Sequence, residues 1–186
     1  MIRQASPTDA HKLSELIILA MGDLAVKFVN GQTDQASKLF EHFATQTGNQ
    51  YSFENALIWE DEAGICGMIL GYDGVHLDKL RAPFLKHLEL TYNFEQRVED
   101  ETQAGEYYID CLSVFPGQQG KGIGKKLIKA LTEKAALMGY FTTGLLVNKT
   151  NVKAKTMYTS LGFEVADIRN FMGDVYEHLQ YVSKTS

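Results

Sequence analysis

Apolar positions along this chain recur at two spacings, one helical and one strand-like, and the changes between them divide it into elements. Met1–Ala5 predicts a short strand. Ser6 then suits an N-cap and Pro7 a first helical position, and Leu13, Leu16, Ile17 and Ala20 follow at helical intervals. Gly22 and Asn30-Gly31 interrupt, so the stretch through Ala44 reads as two or three helical pieces, the last with Ala36, Leu39, Phe40 and Phe43 on one face. Leu57–Trp59 and Ile65–Gly71 flank the polar turn Glu60–Gly64 as a hairpin. Leu77, Leu80, Phe84, Leu85 and Leu88 predict a helix that Pro83 should break or restart near Ala82.

Tyr107–Phe115 is the densest apolar run and predicts the central strand, stopped by Pro116-Gly117. A glycine-rich loop leads into a helix over Gly122–Met138, with Leu127, Ile128, Leu131, Ala135 and Met138 as its buried stripe and Lys125, Lys126, Lys129 and Lys134 outside. Gly139 ends it. Thr142–Val147 predicts a strand and Asn151–Ser160 a short helix; Phe163–Phe171 and Val175–Val182 pair about a Gly173-Asp174 turn. These elements predict an α/β (α+β) class fold, one mixed, strongly bent sheet with helices on both faces, in a single domain over residues 1–186.

Strand, glycine loop and helix start, in that order, make a cradle for an anion, because loop amides and the helix N-terminus both present positive charge. The phosphate loop G-x-x-x-x-G-K-[ST] does not fit: Ile123 follows Gly122 where lysine is needed, and Gln119 stands where the first glycine belongs before Gly124-Lys125. The dinucleotide fingerprint fails at Lys125 in one register and Leu127 in the other. Gln-x-x-Gly-x-Gly does fit, as Gln119, Gly122 and Gly124.

Composition narrows the setting. At 186 residues, 45% hydrophobic and 22% charged, the chain suits one globular core. A net charge of −5 argues against a nucleic-acid partner or a membrane surface and tends to attract cations. Cys66 and Cys111 are lone cysteines in apolar strands, which predicts a reducing, cytoplasmic location. The five histidines form no metal-binding pattern, so no metal is expected. No run approaches the roughly 20 apolar residues of a membrane span.

A second motif follows the glycine loop by one strand: Asn151-x-x-Ala154-x-x-x-Tyr158-x-x-Leu161-Gly162-Phe163. With the loop, and with the I-R-Q-A-S-P-T-D-A opening and the C-G-M-I-L-G strand, it resembles the GCN5-related N-acetyltransferase (GNAT) superfamily over nearly the whole chain. The resemblance implies acetyl-CoA as co-substrate. Its pyrophosphate is expected on the amides of Gln119, Gly120, Lys121, Gly122, Ile123 and Gly124, with Lys121 and Lys125 either adding charge or simply solvated. Its pantetheine arm is expected along Leu112, Ser113 and Val114 by strand addition. In that family a bulge, here near Leu112, splays the central strand from its neighbour, and the Leu112 amide is placed to stabilise the oxyanion. Tyr158 is the expected acid for the leaving thiolate, or else an aromatic filling the helix–sheet seam. Asn151 is expected to orient cofactor or water, to cap its helix, or both.

A protonated amine acceptor needs a base, and Asp110 matches the glutamate given that role in spermidine/spermine acetyltransferases. Histone-type enzymes carry theirs where this chain has Tyr108, and ribosomal-protein N-terminal acetyltransferases where it has Leu146. Strand alternation puts Asp110 on the face of Tyr108 and Leu112, with Cys111 opposite and unsuited as a nucleophile. Asp110 reads equally as a buried, hydrogen-bonded carboxylate. His178 is a further acceptor-pocket candidate or a structural histidine. The acidic run Glu95–Glu106 reads as a solvated loop or as a lid over a cationic acceptor. Residues 1–50 and 73–106 are expected near the acceptor and 107–163 to form the acetyl-CoA core. The expected activity is acetyl transfer to a small primary amine, such as a polyamine, by direct attack in a ternary complex. A protein lysine or N-terminus as acceptor, and a non-catalytic acyl-CoA sensor, are the alternatives; a homodimer is a family-level expectation.

Overall fold

The computed structural model describes residues 1–183, so the last three positions of the predicted 1–186 span lie outside the described residues. Seven strands form one sheet: β1 (Ile2–Gln4), β2 (Ala56–Asp61), β3 (Gly64–Asp73), β4 (Tyr107–Val114), β5 (Thr142–Asn148), β6 (Glu164–Phe171) and β7 (Asp174–Val182). Their spatial order is β1-β2-β3-β4-β5-β7-β6. Every pairing is antiparallel except β4 with β5.

Helices α1 (Ala10–Met21), α2 (Asp23–Lys27), α3 (Thr33–Ala44) and α4 (Leu77–Tyr92) pack on one face, where Leu13, Leu16, Phe40 and Phe84 meet Ile58, Met68 and Leu70 of the strands. Helix α5 (Ile123–Leu137) and the short α6 (Val152–Thr159) cover the other, where Leu127, Ile128 and Leu131 meet Leu57 and Ile69. Adjacent strand residues thus serve opposite cores, as the pleat requires. Met138, expected in the α5 stripe, lies just past the helix and is 54% exposed.

The chain enters α1 through a single 3₁₀ turn, Pro7–Asp9, and Asp9 holds that entry. Its Oδ2 accepts from the Ser6 amide and hydroxyl, each at 2.8 Å, and both its oxygens accept from the Arg3 guanidinium. The predicted break at Pro83 does not occur, since α4 runs unbroken through it. The Leu80 carbonyl, three residues before the proline, accepts from the Gln50 amide at 3.0 Å, so an outside donor serves the part of the helix that the proline disturbs. The β6–β7 turn falls on Met172 and Gly173, both at positive φ, one residue before the expected position.

The sheet opens in its middle. Parallel pairing of β4 with β5 covers only Tyr107–Ile109 against Thr143–Leu145, and beyond it the two strands share no register. On its other edge β4 stays paired to β3, with a shift that pairs Ile109 with Gly71 and Cys111 with Leu70 and leaves Asp110 as the extra residue. The bulge therefore sits at Asp110, two residues before the expected place.

Candidate active site

That extra residue changes the facing of everything after it. Tyr108 and Cys111 both enter the core under α1–α4, while Leu112 and Val114 turn to the α5 side. The expectation that Asp110 shares a face with Leu112, and that Cys111 is opposite, is corrected: plain alternation does not survive a bulge, and the Cys111 thiol lies 3.3 Å from Asp110 Oδ1. Ser113 also turns to the α1 side, donating its hydroxyl to the Leu16 carbonyl at 2.6 Å.

The free edge of β4 presents backbone groups to the gap. The Phe115 amide donates to Cys66 of β3, so by alternation Cys111 and Ser113 also direct theirs toward β3, and Leu112 and Val114 point theirs at the open side. Gln119 Nε2 occupies the Val114 carbonyl at 3.0 Å and ties the glycine loop to the strand end. Gly120 and Gly122 hold φ of +80° and +76°, a left-handed backbone that favours glycine. Among the described residues no acceptor meets the amides of Gly120, Lys121 or Gly122, and those of Ile123, Gly124 and Lys125 form the unpaired first turn of α5. The result is a row of outward N–H groups at a helix N-terminus, which fits a diphosphate. The Lys121 ammonium is engaged with Gln118 Oε1 at 2.6 Å, Lys125 is exposed, and the Ile123 side chain is buried in the α5 core.

Tyr158 stands in the last turn of α6 within the same cluster as Leu112 and Val114, its ring edge-on to Phe163 at 5.7 Å. It is 8% exposed, and burial, with Cys111 nearby, pushes its phenol above the usual range, so it is protonated at neutral pH. No described residue hydrogen-bonds its hydroxyl, which is not a sealed-off atom. Asn151 caps α6, its Oδ1 accepting from the Ala154 amide at 3.1 Å.

Across the gap, under α1–α4, is a cavity of about 130 Å³. Asp110 and Glu101 line it, with Gln50, Tyr51, Tyr108 and Arg81 among the other walls. Asp110 Oδ2 accepts from the Tyr72 hydroxyl at 2.7 Å and from Gln50 Nε2 at 3.1 Å, so the carboxylate is both firmly held and facing a cavity. Burial raises its pKa against the opposing effect of the Tyr72, Cys111 and Gln50 hydrogen bonds. Glu101 is pushed up further, by burial first and by Asp110 second.

The solvated-loop reading of the acidic run holds only for part of it. Glu95, Glu99 and Asp100 are exposed, whereas Glu101 and Glu106 are buried. His178 does not line this cavity: fully buried, it meets Glu106 Oε2 at 2.9 Å and Arg169 on its other nitrogen. Gln50, Tyr72 and Glu101 were not singled out by the sequence. Glu101 sits in a charge run that reads as solvent-facing, and Gln50 and Tyr72 belong to no motif.

A parallel strand pair that parts beside a glycine-built anion cradle is the architecture of an acetyltransferase. The chain belongs to the acetyltransferase (GNAT) family, whose profile matches residues 25–163. Among solved structures, a crystal structure of an acetyltransferase shares 27% identity at a TM-score of 0.80, over 99% of this chain and 100% of that one. An N-acetyltransferase from Staphylococcus aureus Mu50 shares 24% identity at 0.86, over 97% and 100%. The putative acetyltransferase yncA from Salmonella typhimurium, solved with its cofactor acetyl-CoA, shares 18% at 0.61, over 100% and 95%. The last two bear on the fold alone. No curated protein matches the chain. Among the described residues no helix is long and apolar enough to cross a membrane.

Proposed function

We propose that this acetyltransferase moves the acetyl group of acetyl-CoA to the primary amine of a small molecule, a polyamine being the kind of acceptor that suits it, by direct attack in a ternary complex. The unpaired amides from Gly120 to Lys125 take the diphosphate, and the free edge at Leu112 and Val114 takes the pantetheine amides. The thioester then lies in the gap, its carbonyl oxygen on the Leu112 amide.

The acceptor enters from the opposite side as an ammonium ion. Asp110 removes a proton, the freed nitrogen attacks the thioester carbon, and the carbon–sulfur bond breaks as the tetrahedral intermediate collapses. The thiolate takes its proton from the Tyr158 hydroxyl, which no described residue occupies, and the second proton lost by the attacking nitrogen as it becomes an amide restores that phenol. Cys111 takes no covalent part: burial and the Asp110 charge push its thiol well above the usual range, the wrong direction for a nucleophile.

The observation that carries the choice of acceptor is the 130 Å³ chamber with Asp110 in its wall. Such a space suits the compact end of an alkylamine beside Asp110. A thiol-release assay over polyamines, aminoglycosides, amino acids and short peptides tests the reading. Release with compact amines is expected; release with peptides alone, or with nothing on the panel, overturns it.

A further inference from the structure

We infer that Glu101 is a specificity-determining residue for the acceptor, holding a second ammonium group, so that the site selects dicationic amines with a short apolar spacer over monoamines. This rests on the reading above in taking the Asp110 chamber as the acceptor site.

Glu101 comes from the segment between α4 and β4, outside every motif of the donor side, yet it is 8% exposed and lines the same chamber as Asp110. The two carboxylates flank one amide nitrogen: Gln50 Nε2 lies 3.1 Å from Asp110 Oδ2 and 3.5 Å from Glu101 Oε1. Asp110 is well satisfied, by Tyr72, Gln50 and Cys111. Glu101 is not. Its partners are that 3.5 Å contact and the Tyr108 hydroxyl, although a carboxylate has room for about four donors. A carboxylate at the cavity wall with open acceptor sites has room for donors from a bound ligand.

The charges of the chamber specify that donor. Among the described residues two carboxylates face it, and Arg81 is the one cation in its wall. Arg81 is already committed to Asp78 at 2.6 Å, to Asp100, and to the Glu99 carbonyl at 3.2 Å. Those contacts fasten the segment just before Glu101 onto α4 and fix where that carboxylate stands. One ammonium therefore answers one acid and leaves the other uncompensated; two ammonium groups answer both. Tyr51, Phe84 and Tyr108 supply aromatic walls for the spacer and for the cations themselves.

The test reads binding rather than turnover, so its failure is separate from failure of the acetyl-transfer reading, which thiol release reports. Calorimetry of the full chain with 1,4-diaminobutane and with butylamine should show the diamine binding at least about tenfold more tightly, the loss expected when one buried ion pair goes unmade. Glu101→Gln should remove most of that ratio, and Glu101→Asp, which keeps the charge, should retain part of it. Glu95→Gln, on the exposed part of the same segment, should leave it unchanged. Equal affinities in the wild type, no binding of either amine, or a ratio surviving in a Glu101→Gln protein with a cooperative melt each overturn the inference.

Discussion

Glu106 lies directly on Gly144: a Cβ at that glycine would stand 2.2 Å from Glu106 Oε2 and 2.5 Å from its carboxyl carbon. The missing side chain makes room for a buried carboxylate that also meets His178 at 2.9 Å, Gln180 at 2.7 Å and Thr102 at 2.7 Å. Burial alone would raise the Glu106 pKa; these three partners reverse the sign and lower it. Gly144→Ala is expected to cost about 1–3 kcal/mol through overpacking, read as a melting temperature lower by about 2–4 °C per kcal/mol. An unchanged melt would mean that Glu106 moves aside freely.

The Arg3–Asp9 pair should write itself into the acid limb of the stability curve. Arg3 first, and Ser6 with it, hold the Asp9 carboxyl at about 2 against an ordinary 3.8, outweighing burial, which pushes it up. Its folded pKa is depressed, so its contribution is full above about pH 4 and lost as pH falls toward 2. Asp9→Asn should cost about 1–2 kcal/mol at pH 7, allowing for a guanidinium partly in water. Denaturant melts across pH should show the two proteins converging near pH 2.

Glu101 has the opposite sign. Burial and Asp110 hold its carboxyl above the usual range, so the folded state is favoured while it is protonated and loses stability as pH rises through that elevated value. Glu101→Gln is expected to melt higher than wild type at pH 8, with the gap closing as pH falls below the ordinary 4.5 of a glutamate. A variant that melts lower at pH 8 would show that the ionised carboxylate is paired in the free protein.

Tyr158→Phe keeps the ring against Phe163 and removes only the hydroxyl. Turnover should fall by about 10²-fold or more, while acetyl-CoA affinity by calorimetry stays within a factor of about two. Unchanged turnover would assign the tyrosine to packing alone.

Asp110→Asn should lower the rate most below neutral pH, where the acceptor amine arrives protonated, and least above pH ~9, where free amine is available without a base. A rate loss of the same size across the whole pH profile would assign Asp110 to holding Tyr72 and Gln50 in place.

The geometry of the glycine loop and of α6 was legible because it depends on backbone, and backbone demands specific residues. Gly120 and Gly122 are needed for left-handed φ, Gln119 to close the loop on Val114, and Asn151 to cap α6. Each leaves a letter at a fixed spacing. The Asp110 cavity depends on side chains brought together from far apart: Gln50, Tyr72, Glu101 and Asp110 come from a turn, two strands and an irregular segment. No local pattern records that meeting, and Glu101 is disguised by the exposed acids before it. Pro83 misled for a related reason, since the Gln50 amide that serves the Leu80 carbonyl comes from thirty residues upstream. The facing of Cys111 and Leu112 departs from strand periodicity because that presumes an even count, and nothing in Ile109-Asp110-Cys111 marks the odd residue.

That odd residue has a wider consequence. Strand β4 has eight residues and borders two separate rooms of the molecule. Ahead of Asp110 the even-numbered Tyr108 looks toward the N-terminal helices; behind it the odd-numbered Cys111 and Ser113 do. A single change of parity, at the carboxylate itself, thus lets one short strand furnish the acid wall of one room and the main-chain rail of the other without ever leaving its ladder with β3.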